Sequence, residues 1–288
     1  MSRDDEANDD GASRAFFAGV INKLRIPESD RTKDGCDAQE EILRLFADEE
    51  RAPFSVHRVC ETTAAWGAPP GRWFEPSVMC RAFEVLIAGH ELGTELAVYV
   101  VSGRDGEGGG VPVLDEDEIR AKSVDAGKAL LLLVPVVLGT GRTINTRYIG
   151  QLRSMLAFEQ SIGIVGGRPN SSLYIVGHSD DVFFYLDPHV VQPASLLDSV
   201  DVESYYCPTP LHIRGEALDP TLALGFYCRE AADAVELLAR VDALAKENAT
   251  APALQTRRGR VDTSATTSAA SGEIERFRDD EFADWEFV

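Results

Sequence analysis

Asp187 and His189 are a pair whose types and spacing could support acid–base chemistry. They follow an apolar run at residues 181–186 that we predict to be a strand. Side chains two residues apart on a strand point to the same face, so the carboxylate and the imidazole can lie side by side. Such a carboxylate orients a histidine that serves a cysteine or serine nucleophile as general base. An Asp-Pro-His sequence is also a common surface turn, and the spacing alone leaves both interpretations open.

A glycine-rich stretch precedes this pair and reads Gly166-Gly167-Arg168-Pro169-Asn170. It separates two apolar runs, so we predict a loop between two strands of one sheet. Two glycines and a proline give such a loop freedom to move between defined positions. A tight structural turn explains the same residues without any function.

The cysteines do not have the paired spacing of a disulfide framework or of a zinc site. They are Cys36, Cys60, Cys80, Cys207 and Cys228. We therefore predict reduced thiols, no metal site and no cofactor. The acidic start of the chain does not resemble a signal peptide, and its longest apolar stretch, at 129–138, is about half of what spans a bilayer. The sequence predicts a cytoplasmic protein without stable membrane insertion.

The elements that must position these residues are helices first and antiparallel strands afterwards, which is an α+β pattern. Pro135 lies inside one predicted strand and indicates an edge or a bulge there. Apolar spacing predicts helices at 13–24, 38–47, 76–90, 146–158 and 230–246, and strands at 95–101, 128–139, 161–167, 171–178, 181–189 and 222–228.

Charge and composition limit the partners and divide the chain. The formal net charge is −20, which argues against nucleic acid and anionic lipid as partners. Residues 1–12 are acidic and polar, and residues 247–288 lack an apolar period, so we predict that both are disordered. A single domain at 13–246 remains, and we expect it to be a monomer.

Four ordered blocks resemble the autophagin family of autophagy cysteine peptidases. The run FEQSIGIVGGRPNSSLYIVGHSDDVFFYLDPHVVQPA, at 158–194, is similar to the family's PQSLGIIGGKPN loop and its YLDPHTTQ strand end. Three further blocks agree in order and spacing: FSVHRVC with GRWFEPS, VPVVLGTGRTINTRYIGQL, and ALDPTLALGFYC. The resemblance covers about residues 38–245.

The resemblance implies a papain-like fold and a cysteine-type endopeptidase. The enzyme would cut behind the C-terminal glycine of a ubiquitin-like autophagy modifier and release the modifier from phosphatidylethanolamine. His189 would be the general base and Asp187 its orienting acid, while Trp73 would line the substrate groove, although a core aromatic is the alternative there. Gly166, Gly167, Pro169 and Asn170 would belong to a gate that lifts when the modifier's tail enters.

The chain departs from the family at the nucleophile. The family cysteine lies in Gly-Trp-Gly-Cys at the start of a helix, where the helix dipole lowers the thiol pKa. SRAFFAG, from Ser13, resembles the continuation of that helix, but the preceding residues read NDDGA. Cys36 lies in a different block. Near Trp73, Glu75 replaces a family glycine, which bears on how the substrate fits.

Three explanations of this departure stay open. The intact gene product could begin with a nucleophile segment that this sequence lacks. The chain could instead be a catalytically dead member that binds the modifier without cutting it. An adapted chemistry could use another residue such as Ser13, although a serine needs stronger activation than a thiol.

The C-terminal residues carry a second pattern. Acidic residues at 279–284 lead into Trp285-Glu286-Phe287-Val288. An aromatic residue, two spacers and an aliphatic residue after acids is the pattern of a short motif that adds a strand to the modifier's sheet. Trp285 and Val288 would fill its two pockets; an acidic tail with a chance tryptophan is the alternative.

Overall fold

The protein contains a mixed seven-stranded sheet between two layers of helices. The structure, a computed structural model, describes residues 35–71, 74–101, 110–168, 171–205, 207 and 210–258. The expected helix at 13–24 and the tail beyond 258 lie outside these residues. Among the candidate site residues, so do Trp73, Pro169, Asn170, Trp285 and Val288.

The sheet has the strand order β1-β3-β8-β4-β5-β6-β7, and a second sheet pairs β2 with β9. Strands β1 and β3 are parallel, and every other pair in the large sheet is antiparallel. The α+β expectation is therefore confirmed. The strands are β1 Leu96–Val100, β2 Val113–Asp115, β3 Ala129–Val137, β4 Ser161–Arg168, β5 Ser171–Ser179, β6 Val182–Leu186, β7 Leu211–Arg214, β8 Thr221–Cys228 and β9 Gln255–Arg257.

The helices begin where the sequence supplies capping groups. The Ser55 hydroxyl caps the second helix, Pro76 occupies the first turn of the third, and Glu230 with Asp233 forms a capping box at the last. Within the described residues the α-helices are α1 Gly35–Arg44, α2 Val56–Ala64, α3 Pro76–Ala88, α4 Glu116–Lys122, α5 Ile149–Leu156 and α6 Ala231–Glu247.

Strand β3 shows why helices cover both faces of the sheet. Its side chains alternate: Leu131 and Leu133 pack in one core with α1, α2 and α3, and Leu130 and Leu132 pack in the other with α5 and α6. All four leucines are fully buried. A strand with two buried faces reads as a continuous apolar run, because neither face can accept polar side chains.

Pro135 lies where its missing amide costs no hydrogen bond. The Leu138 amide donates to the carbonyl of Pro220, the residue before β8. Because successive amides of a strand point to opposite sides, the nitrogen of Pro135 faces the β1 side. Strand β1 pairs with β3 only as far as Leu133. Pro135 is therefore at a local edge of the sheet, as its presence in the strand predicts.

The ordered body continues beyond the predicted boundary at residue 246. Ala253 and Leu254 are buried, and Arg257 on β9 forms an ion pair with Asp115 on β2 at 2.6 Å. The expectation of disorder from 247 is thus wrong for residues up to 258. This segment adds only two buried apolar residues and a strand of three residues, which is too short to produce a recognisable hydrophobic periodicity. Separately, no helix in the described ranges is long and apolar enough to cross a membrane.

Candidate active site

Asp187 and His189 lie together, as the sequence predicts, but they do so in a turn directly after β6, because the strand ends at Leu186 and does not reach residue 189 as predicted. The Asp187 carboxylate accepts the backbone N–H of His189 at 3.0 Å, which closes an Asx turn around Pro188. The same oxygen is 2.5 Å from His189 Nδ1. The surface-turn interpretation and the functional one are therefore compatible, because a single carboxylate oxygen both forms the turn and holds the ring.

The hydrogen bond to Asp187 determines which nitrogen of His189 is available for chemistry. A carboxylate only accepts, so Nδ1 carries the proton in the neutral ring and Nε2 is left as the basic atom. The His189 side chain is 33% exposed and that of Asp187 is 21% exposed. An outside group can reach the imidazole while its partner stays mostly covered, which is the arrangement that a general base needs.

Ser171 is a third residue of this site, and the sequence analysis missed it. Its Oγ lies 3.5 Å from His189 Nε2, at the outer limit of a hydrogen bond. Tyr174 on β5 pairs with Leu186 on β6, and three more residues along each segment bring Ser171 opposite His189. The alternation of side chains along a single strand cannot show this contact, because the contact depends on the register between the two strands of the hairpin.

Gly166 and Gly167 belong to strand β4, as the strand predicted at 161–167 requires, so the expectation that the loop begins at Gly166 is wrong. They pair with Leu173 and Ser172 on β5. A Cβ at Gly166 would lie 2.1 Å from the Leu222 side chain, and one at Gly167, whose φ is +152°, would lie 2.4 Å from the Ser171 carbonyl. These glycines permit close packing and a backbone conformation that other residues avoid.

Two cysteine thiols are buried in settings that oppose ionisation. Burial raises the pKa of Cys80 on α3 to about 12. Burial, with a smaller contribution from Asp233, raises the pKa of Cys228 on β8 to about 12. A nucleophilic cysteine needs the thiolate, so neither is suited to attack a carbonyl. Cys60 is half-buried on α2 and Cys207 is exposed.

Metal chemistry finds no support in the described part of the chain. No three side chains of histidine, cysteine, aspartate or glutamate come together there in a way that could hold a metal ion. Within these residues the arrangement offers a hydrogen-bonded acid–base pair, and a neighbouring hydroxyl, at the end of one strand.

Comparisons with known proteins place the chain among cysteine proteases. The family model described as peptidase C54 catalytic domain matches residues 13–240. The chain is 38% identical to "Cysteine protease ATG4" of Medicago truncatula over 260 residues, 84% of this chain and 53% of the relative. It is also 38% identical to "Cysteine protease ATG4b" of Arabidopsis thaliana, over 84% of this chain and 55% of that protein. The chain spans about half the length of these relatives.

Proposed function

The chain belongs to the peptidase C54 family of cysteine proteases, and from this premise we propose that it is an autophagy endopeptidase of the cytosol. Its substrate would be a ubiquitin-like autophagy modifier, cut behind its C-terminal glycine and released from phosphatidylethanolamine. The observation that carries the proposal is the Asp187–His189 pair. The carboxylate orients the ring through Nδ1 and the imidazole is partly exposed, and a thiol nucleophile requires both.

The proposed mechanism uses Nε2 of His189 as the proton carrier. It accepts the proton of the cysteine thiol, and the thiolate attacks the glycyl carbonyl to form a tetrahedral intermediate. His189 then donates that proton to the departing amine, which leaves a thioester. A water molecule, deprotonated by the same nitrogen, hydrolyses the thioester. Asp187 keeps the tautomer fixed and stabilises the imidazolium at each stage.

We place the nucleophile in a Gly-Trp-Gly-Cys segment ahead of Ser13 in the intact gene product. The family resemblance of the SRAFFAG stretch supports this position, and so does the burial of Cys80 and Cys228. Sequencing the 5′ end of the transcript tests it. A reading frame that encodes this segment would support the peptidase, and a transcript that begins at Met1 would contradict this placement.

His189→Ala and Asp187→Ala should each abolish cleavage by the full-length gene product. The first change removes the proton carrier. The second removes the carboxylate that fixes the tautomer and the orientation of the His189 ring. The measurement is release of the C-terminal fragment from the modifier precursor. His212→Ala is the control, because His212 is exposed on β7 and we assign it no role. Unchanged cleavage by either of the first two variants would remove the pair from the mechanism.

The second candidate function is binding without cleavage. The raised pKa of the two buried thiols favours it, because a chain limited to such cysteines could hold the modifier but not cut it. We propose that the Trp285/Val288 motif contributes to binding in both cases. Trp285→Ala with Val288→Ala should weaken modifier binding about tenfold or more in calorimetry, since both pocket-filling side chains are lost. An unchanged dissociation constant would show that the motif occurred by chance.

A further inference from the structure

The side chains of Ser171, His189 and Asp187 form a continuous chain of contacts between the start of β5 and the end of β6. The Ser171 Oγ lies 3.5 Å from His189 Nε2, and His189 Nδ1 lies 2.5 Å from the Asp187 carboxylate. In a serine hydrolase the base contacts the nucleophilic hydroxyl through one ring nitrogen and its orienting carboxylate through the other. The three residues have this connectivity, and we call them the serine triad.

The sheet holds Ser171 on the face where it meets His189. Side chains alternate along β5, and Leu173 and Ile175 pack in the core that includes α5 and α6. By the same alternation Ser171 shares their face, whereas Ser172 points to the opposite face of the sheet. Ser171 also pairs in register with Arg168 on β4. The register of two strands therefore fixes the backbone that carries the hydroxyl.

The distance and the exposure of the hydroxyl suit a nucleophile at rest. Contacts between a nucleophile and its base are often as long as 3.5 Å before a substrate binds, and they shorten in the complex. Ser171 is half-buried, and the His189 side chain is 33% exposed. A carbonyl group can thus approach both side chains from solvent.

Arg168 supplies a positive charge beside this hydroxyl. It lies directly opposite Ser171 in the pairing of β4 with β5, so the Cβ atoms of the two residues are about 5 Å apart. Arg168 is exposed, and its guanidinium donates to the neutral Tyr185 hydroxyl at 3.4 Å. Among the described residues it has no carboxylate partner. Its charge is available to stabilise the negative oxygen that forms when a hydroxyl adds to a carbonyl.

We propose that the serine triad is a second catalytic arrangement, which hydrolyses carboxylic esters through an acyl-serine and needs no cysteine. This activity goes beyond the proposed function and shares only the Asp187–His189 pair with it. A thiol in the intact gene product competes with Ser171 for Nε2, so the serine acts where the thiol is absent or blocked. Esters are the substrate class, because an alcohol leaves more readily than an amine and a hydroxyl is a weaker nucleophile than a thiolate.

The proposed step returns every group of the triad to its starting state. His189 Nε2 accepts the Ser171 proton as Oγ adds to the ester carbonyl, whose oxygen becomes negative beside Arg168. The imidazolium gives this proton to the leaving alcohol as the ester C–O bond breaks, and an acyl-serine remains. Nε2 then deprotonates a water molecule that adds to the acyl carbonyl. The imidazolium returns a proton to Ser171 Oγ as the carboxylic acid departs.

Hydrolysis of p-nitrophenyl acetate by the whole chain, after its accessible thiols are alkylated with iodoacetamide, tests the proposal. Ser171→Ala should lower kcat/KM about tenfold or more, because the nucleophile is lost. An imidazole alone also attacks activated esters, so the informative variant is this one, in which His189 is retained. Ser172→Ala is the matched control: it removes a hydroxyl from the opposite face of the same strand and should leave the rate unchanged.

A second measurement identifies the nucleophile directly. Diisopropyl fluorophosphate should attach to Ser171 in the unchanged chain and fail to attach in His189→Ala, as mass spectrometry of the digested protein would show. Ser171→Cys should also hydrolyse the ester, but alkylation should now abolish its activity, since a thiol takes the place of the hydroxyl. A serine that only orients the ring would give neither result.

Equal ester hydrolysis by the unchanged chain and Ser171→Ala would overturn the inference, and so would the absence of the label from Ser171. Neither result would touch the proposed function, because cleavage of the modifier by the intact gene product uses a thiol. Conversely, a labelled Ser171 in a gene product that does not cleave the modifier would support the serine triad and contradict the proposed function.

Discussion

Tyr174 and Tyr227 pack on the same side of the sheet and differ in what their hydroxyl groups contact. The Tyr174 hydroxyl donates to the Ile162 carbonyl at 2.5 Å. The Tyr227 hydroxyl is buried and has no hydrogen-bond partner among the residues that the structure describes. Burial is the main cause that raises the pKa of Tyr227 to about 12. A buried polar group without a partner costs free energy, because it has lost its hydrogen bonds to water.

Tyr227→Phe should therefore leave the free energy of unfolding unchanged or raise it by up to about 1 kcal/mol. Tyr174→Phe removes the donor to the Ile162 carbonyl and should lower that free energy by about 1–2 kcal/mol. Urea unfolding of the two variants, each with the same atom removed, provides the comparison. A larger loss for Tyr227→Phe than for Tyr174→Phe would show that the Tyr227 hydroxyl has a partner.

At the scale of single residues, the sequence could predict those contacts of the site that join residues close together in the chain. Asp187 and His189 are two residues apart in one turn after β6, so their contact depends on neighbouring residues alone, although a turn and not an extended strand brings them together. Ser171 is separated from His189 by a hairpin, and β5 also contains an irregularity between Ile175 and Gly177. The register across such a bulge is set by packing, which no local pattern shows.

Strand β4 illustrates at the element scale why Gly166 and Gly167 were assigned both to the end of a strand and to a loop. Glycine weakens a strand, so its presence in a sequence predicts a turn. In this sheet, Gly166 lies against Leu222, and the Gly167 carbonyl accepts the Asp219 amide at 2.7 Å. Strand β8 and the segment before it can approach this closely only because glycine has no side chain. That approach is a tertiary contact, so the sequence pattern of β4 does not show it.

Gly167→Ala should lower the free energy of unfolding by about 2–4 kcal/mol, because alanine meets both an unfavourable φ and the Ser171 carbonyl. Gly177→Ala on the neighbouring strand is the matched control. A Cβ there meets no atom within 4 Å, and its φ is not in the left-handed region, so we expect a change of less than about 1 kcal/mol. Thermal unfolding measures both, and equal midpoints would refute the packing argument.

Asp115, the last residue of β2, connects three elements. Its carboxylate accepts the amides of Asp117 and Glu118 at the start of α4 and pairs with Arg257 on β9. Burial acts to raise the pKa of Asp115. The Arg257 guanidinium and the two amides outweigh burial, so the pKa is held below its ordinary value.

Asp115→Asn should lower the free energy of unfolding by about 1–2 kcal/mol at pH 7. A carboxylate whose pKa is lowered on folding stabilises the protein above its unfolded pKa of about 3.9 and loses this effect as the pH falls through the folded value. The difference between the two proteins should thus be constant from about pH 5 to 7 and shrink below about pH 4. Asp117→Asn, whose side chain is exposed on the same helix, is the control. A difference that persists at pH 2 would point to a cause other than this charge.

At the scale of the whole molecule, the sequence predicts the fold class better than it predicts where the folded body ends. Alternating runs were sufficient to predict an α+β protein, and the apolar β3 run was sufficient to predict a buried strand. The end of the body at residue 258 could not be predicted, because Ala253 and Leu254 become core residues only by contact with distant elements. The pairing of β2 with β9 joins segments more than 140 residues apart and leaves no local signal.

The position of β8 in the strand order has a consequence for the newly made chain. Strand β8 lies between β3 and β4, yet it is the last strand of the large sheet to leave the ribosome. Until then β3, whose first six residues are all buried in the finished protein, has no partner on one edge, and neither has β4. Unpaired apolar edges promote aggregation, and distant pairings form slowly. The pairings of β3 with β8 and of β8 with β4 can therefore form only after Cys228 has been synthesised, and until then both apolar edges stay open to other chains.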